Sequence, residues 1–134
     1  MAADPSLGAI RFRAMGRLDL DTVVKIETES YEFPWLRRTF EDCLSASYEC
    51  WIGELLGREE PDEIIGHGIL NVKADEAHLL NICVKKQSQG YGFGRDIVGY
   101  LIDRSKAQRA KTMFLEVRRS NGIARELYDS VGFR

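Results

Sequence analysis

The residues with the clearest chemical use run from Gln89 to Arg95: Gln-Gly-Tyr-Gly-Phe-Gly-Arg. Gly90, Gly92 and Gly94 alternate, so the main chain can approach a ligand with no Cβ in the way. The apolar run Asn81-Ile82-Cys83-Val84 comes before this loop, and a helical pattern follows it at once. A strand, a glycine loop and a helix N-terminus together make an anion site, because exposed N–H groups and the positive end of the helix dipole suit a phosphate. A flexible turn would explain the glycines, but not their place between strand and helix. Arg95 falls in the first helical turn, where it either adds charge to the site or faces solvent.

Spacing narrows the ligand. A dinucleotide fingerprint needs G-x-G-x-x-G/A. Counting from Gly90 the sixth position is Arg95, and from Gly92 it is Ile97, so both registers fail. No Gly-Lys-Ser/Thr follows, which excludes a P-loop. What remains is Gln89-x-x-Gly92-x-Gly94 directly after a strand.

The elements that must position this loop follow from hydrophobic period and turn residues. Ile10–Arg13 reads as a short strand. Asp19 is the expected N-cap of a helix reaching about Ser30, with Leu20, Val23, Val24 and Ile26 on its apolar side. Pro34 suits the first turn of a second helix, in which Leu36, Phe40, Cys43 and Leu44 recur at helical spacing. Tyr48–Leu55, Ile64–Val72 and Ala77–Val84 read as strands, with a charged loop at Gly57–Glu63 and a turn near Lys73–Glu76. A helix is expected from about Gly92 to Ala110, with Ile97, Val98, Leu101 and Ile102 inward. In the strand Thr112–Val117, alternation puts Met113, Leu115 and Val117 on one face and Thr112, Phe114 and Glu116 on the other. Asn121 opens a short last helix carrying Ile123, Leu127 and Tyr128. The order β α α β β β α β α implies a mixed α/β sheet: early strands antiparallel, and the strand–helix–strand unit from Ala77 to Val117 parallel with a right-handed crossover.

Composition bounds the function. The chain of 134 residues is expected to be one domain, 44% hydrophobic and 30% charged. A net charge of −2 gives no overall basic field for nucleic acid. No apolar run approaches the roughly 20 residues of a membrane span, and the first residues do not read as a signal peptide. The three cysteines, Cys43, Cys50 and Cys83, and two histidines, His67 and His78, show no zinc or disulfide spacing. No metal site is expected, and a reducing cytoplasm is the expected compartment.

The loop resembles the pyrophosphate loop of the GNAT superfamily of N-acetyltransferases, and the order of elements resembles that fold. Asn81-Ile82-Cys83-Val84, Leu115-Glu116-Val117-Arg118-Arg119-Ser120-Asn121, Leu127-Tyr128-x-x-Val131-Gly132-Phe133 and Glu32-Phe33-Pro34-Trp35 resemble the RimI-type branch. The resemblance covers about Ile10 to Phe133. It implies acetyl-CoA as cosubstrate and a protein N-terminal α-amine, on a small-subunit ribosomal protein, as acceptor.

The same resemblance implies a set of site residues. Gln89, Gly90, Tyr91, Gly92, Phe93, Gly94 and Arg95 would hold the pyrophosphate. The main chain of Ile82, Cys83 and Val84 would bind pantetheine as an added strand, and an N–H near Val84 would polarise the thioester carbonyl. Glu116 would be the general base and Tyr128 the general acid. Taken alone, Glu116 reads as a solvated glutamate on the polar face of a strand, and Tyr128 as a core aromatic. Asn121 caps the last helix, contacts the cofactor, or does both. Phe33 and Trp35 help form the acceptor groove or serve the core, and Glu32 is a surface carboxylate able to attract an ammonium group. Cys83 offers a rival route through an acetyl-cysteine, although a lone cysteine inside a strand usually packs as a small hydrophobe.

Two departures stand out. Relatives usually carry a proline before the loop, where this chain has Lys85-Lys86-Gln87-Ser88, so a differently shaped loop entry is expected. The family continues past Gly132-Phe133 with two further strands, so the sequence is expected to lack the C-terminal hairpin and leave a sheet edge open to self-association. That loss should weaken acceptor binding and turnover more than cofactor affinity. Rival functions are a GNAT acting on lysine or a small amine, and an acetyl-CoA-binding module without turnover.

Overall fold

The computed structural model describes residues 9–57 and 61–115. The described strands, β1 (Ile10–Ala14), β2 (Glu49–Leu55), β3 (Glu63–Lys73), β4 (Glu76–Val84) and β5 (Thr112–Leu115), form one sheet in that order. Neighbours from β1 to β4 pair antiparallel, and β5 joins β4 in parallel. The expected mixed topology is therefore present. Helices α1 (Leu20–Ser30) and α2 (Arg37–Ser45) connect β1 to β2, and α3 (Phe93–Ala107) makes the crossover from β4 to β5.

The helices divide the core in two. On one face Leu70, Ala77, Leu79 and Ile82 pack with Ile97, Val98 and Leu101 of α3, flanked by Met113 and Leu115. On the other, Ile52 and Ile69 pack with Leu20 and Val23 of α1 and Phe40 and Cys43 of α2. Two glycines of β3 make the first packing possible. A Cβ at Gly66 would lie 2.6 Å from the Cys83 carbonyl and 2.8 Å from Ile97, and one at Gly68 would lie 2.7 Å from Leu101. Because strand residues alternate, His67 between them faces α1 and α2.

Several helix ends differ from expectation. Asp19 does not cap α1 with its side chain. Its carboxylate accepts from the Gly16 N–H at 2.7 Å and from both terminal nitrogens of Arg13, at 2.7 and 2.9 Å. A 3-10 turn, Arg17–Asp19, leads into the helix instead. Nor does Pro34 begin α2, which starts three residues later behind Leu36 in an extended conformation. Leu36 is 72% exposed and takes no part in the apolar side of that helix. The Trp35 N–H is tied to Glu27 at 3.0 Å, so the chain stays extended past Pro34 before it can coil. Helix α3 ends at Ala107 rather than near Ala110, because Arg109 adopts φ 65° and turns the chain toward β5.

Described β5 stops at Leu115. Its alternation matches expectation, with Thr112 and Phe114 exposed and Met113 and Leu115 partly buried. The expected Val117, the last helix and the open edge after it lie outside the described residues. No described helix is long and apolar enough to cross a membrane.

Candidate active site

Between β4 and α3 the chain forms one 3-10 turn, Lys86–Ser88, and then the glycine loop. The turn is closed by the Ser88 N–H, which donates to the Lys85 carbonyl at 2.8 Å, and Ser88 is buried. Gly90 and Gly92 have φ of 88° and 85°. An added Cβ at either meets nothing within 4 Å, so backbone conformation, not crowding, requires glycine there. Gly92 is the N-cap of α3 and has no side chain to satisfy the N–H groups of the first turn. Those N–H groups point along the helix axis toward the loop with the positive end of a 15-residue helix behind them. This arrangement fits a pyrophosphate.

The other expected loop residues divide by burial. Tyr91 and Arg95 are exposed, whereas Phe93 is 4% exposed and anchors the start of α3 in the core. Phe93 can therefore offer a ligand its backbone only. Gly94 lies in the first turn of α3. The Gln89 side chain turns back, its Nε2 donating to the Val84 carbonyl at 3.0 Å.

Strand β4 carries the expected thioester segment. The Lys85 N–H donates to the Ile65 carbonyl across the antiparallel ladder. Since bonded and non-bonded pairs alternate, Ile82 and Val84 direct their backbone groups away from β3. The described pairing with β5 ends at Leu79, opposite Leu115. Side chains reach this edge instead: the Tyr31 hydroxyl donates to the Ile82 carbonyl, and Ser30 Oγ lies 3.4 Å from the Val84 carbonyl. The Ile82 side chain is buried against α3, while Cys83 is buried on the opposite face, its Sγ 3.8 Å from the Ile26 carbonyl.

Cys83 is a poor nucleophile in this setting. Burial pushes its thiol up to about 12, so the reactive thiolate is scarce near neutral pH.

Beside Cys83 lies a group that sequence spacing did not reveal. Glu27 of α1 is 1% exposed, and Oε1 lies 3.1 Å from His67 Nε2 on β3. Both carboxylate oxygens lie 3.2 Å from Asn81 Nδ2 on β4. The ligand-type atoms of Glu27, His67 and Cys83 fall within 4.8 Å of one another. The Glu27 oxygens already receive N–H donors and the neighbouring thiol is held protonated, so the cluster acts as a hydrogen-bond network. His67 Nδ1 and Asn81 Oδ1 are buried and have no partner among the described residues. The one early sign of this network was a glutamate beside the apolar stripe of α1. Glu116, Asn121 and Tyr128 lie outside the described residues.

The comparisons with known proteins agree with this arrangement. The model of the acetyltransferase (GNAT) family matches residues 20–133. The chain is 36% identical to the [ribosomal protein bS18]-alanine N-acetyltransferase of Haemophilus ducreyi, over 86% of this chain and 76% of that protein. The crystal structure of the ribosomal-protein-S18-alanine N-acetyltransferase from Escherichia coli superposes with a TM-score of 0.82 and 32% identity, covering 94% of this chain and 78% of that one. A PaiA N-acetyltransferase from Thermoplasma acidophilum, in complex with coenzyme A, shares the fold at a TM-score of 0.79 and 17% identity, covering 94% of this chain and 90% of that one. With its glycine loop at the start of α3 and the edge of β4 turned from β3, the chain belongs to the GNAT family of acetyl-CoA-dependent acetyltransferases.

Proposed function

We propose that this chain transfers the acetyl group of acetyl-CoA to the N-terminal α-amine of a protein, a small-subunit ribosomal protein in particular. The observation that carries the reading is the 36% identity, over 86% of the chain, to an enzyme named for the alanine of ribosomal protein bS18. The reaction is assigned to the cytoplasm, where Cys43, Cys50 and Cys83, all free and buried, stay reduced.

Acetyl-CoA supplies the thioester. Gly90 and Gly92 give the loop its shape for the pyrophosphate, and the Val84 segment of β4 orients the carbonyl and stabilises its oxyanion. An α-amine has a pKa of about 8 and is mostly protonated at pH 7. Glu116, directly or through a water, takes the proton that must leave before attack. The amine nitrogen then bonds to the carbonyl carbon, the carbon–sulfur bond breaks, Tyr128 protonates the departing thiolate, and the second proton shed by the new amide nitrogen goes to water, from which Tyr128 is reprotonated. Resemblance to the family supports these two roles.

The test is mass spectrometry of acetyl transfer to a peptide with the N-terminal sequence of a ribosomal protein, beside lysine peptides and polyamines. Glu116→Gln should slow transfer by roughly 10²–10⁴-fold with CoA binding retained. Equal rates would remove Glu116 as base. Preference for lysine or a polyamine would reassign the acceptor, and binding without transfer to any amine would make the chain a CoA-binding module.

A further inference from the structure

The Glu27 carboxylate joins three separate stretches of chain. Oε2 accepts from the backbone N–H of Trp35, between α1 and α2, at 3.0 Å. Asn81 reaches both oxygens from β4, and His67 meets Oε1 from β3. Trp35 and Asn81 present N–H donors, so Glu27 acts as an acceptor at both oxygens, the role of an ionised carboxylate. Burying a charge is costly unless donors surround it. Apolar packing alone would not need a glutamate at this position.

What the carboxylate fixes is a distance. Trp35 lies in the run where Phe33 is 60% and Leu36 72% exposed, an apolar surface between α1 and α2. Asn81 immediately precedes the Ile82–Val84 edge of β4. Ser30 and Tyr31, at the end of the same helix, contact the Val84 and Ile82 carbonyls. The end of α1 is thus fastened to β4 by several bonds, and Glu27 carries the link onward to Trp35.

We propose that Glu27 is a positioning residue: its buried carboxylate holds the Phe33–Leu36 segment at a set distance from Ile82–Val84, so that a peptide resting on that segment presents its amine to the thioester. This rests on the acceptor reading above and names the part of the chain that places the acceptor.

Glu27→Gln tests the idea with almost no change of shape. Its amide accepts at one atom only: with that oxygen in place of Oε1 the Trp35 bond is lost, and with it in place of Oε2 the NH2 group displaces the Oε1 contacts of Asn81 and His67, so the network cannot be kept whole. In steady-state assays of the full chain, KM for the peptide should rise about tenfold or more, while calorimetric CoA affinity changes by less than about twofold. Trp35 and Trp51 are the two tryptophans. In a Trp51→Phe background, Glu27→Gln should shift Trp35 emission to the red and increase iodide quenching.

Asn81→Ser shortens the β4 arm and should produce the same pattern more weakly, which keeps the test open if Glu27→Gln does not fold. Peptide KM and CoA affinity moving together, neither moving, or unchanged Trp35 emission would overturn the proposal. If the wild-type chain ignored ribosomal peptides but acetylated another amine, the ribosomal reading alone would fail. The KM comparison would then be made with that amine.

Discussion

The two faces of the sheet are built on different principles. The α3 face is dry and close-packed: Gly66 and Gly68 remove the side chains that would hold the helix away, and Ile97 and Leu101 fill the space. It carries the glycine loop, where backbone conformation rather than side chains requires Gly90 and Gly92. The α1/α2 face also has an apolar core, but it encloses a carboxylate, an imidazole and an amide within hydrogen-bond reach. Shape governs the first face, and donor–acceptor matching governs part of the second. The α3 face should therefore respond to volume changes, and the α1/α2 face to changes of polarity at constant volume.

The sharpest test of the dry face is Leu101→Ala. Leu101 is 0% exposed at the centre of the α3 contact. Its truncation should cost about 2–5 kcal/mol, measured by urea unfolding. Leu101→Met, which conserves volume, should cost less than about 1.5 kcal/mol. Equal losses would mean that packing does not control this face. Gly66→Ala acts in the opposite sense. The new methyl would meet the Cys83 carbonyl, a backbone atom that cannot swing aside, and should cost about 1–3 kcal/mol. As α3 is displaced, CoA affinity should fall as well, which calorimetry would record.

The same contrast explains what could be read in the sequence. The glycine loop was legible because its meaning lies in local spacing between one strand and one helix. The alternation of β5 and the apolar stripe of α3 were legible for the same reason. The Glu27 network was not, because its partners His67 and Asn81 lie 40 and 54 residues away, and no local pattern links them. Gly66 and Gly68 sat unnoticed inside an otherwise apolar strand, since their use depends on which helix crosses them. Asp19 misled by being a good cap residue: a nearby Arg13 and the Gly16 N–H compete for its carboxylate, and a local rule cannot weigh them. Glu116, Asn121 and Tyr128 rest on family resemblance alone.

On the polar face, Glu27→Gln should cost about 1–2 kcal/mol even though volume is conserved, because a buried donor loses its acceptor. A stability change near zero by urea unfolding would put this face under the same packing rule as the other.

The smallest effect is expected at the rim of the polar face, where Arg13 and Asp19 meet. The Arg13 guanidinium holds the Asp19 carboxyl below its usual range. In the unfolded chain the same group titrates near its ordinary value of about 3.9. The folded state therefore favours the charged form, and the bond stabilises the fold fully only above about pH 5. As pH falls through about 4 toward the lower folded value, the carboxyl gains a proton and the contribution disappears. Asp19→Asn mimics that protonated state. Its urea midpoint should lie below the wild-type value at pH 7 by an amount of order 1 kcal/mol or less, since Arg13 is partly exposed. The two midpoints should converge as pH drops toward 3. A gap that stayed constant from pH 7 to pH 3 would mean that the substitution acts through shape and not through the charge of Asp19, and no gap at any pH would mean that the bond to the Gly16 N–H, which an asparagine can keep, is the part that matters.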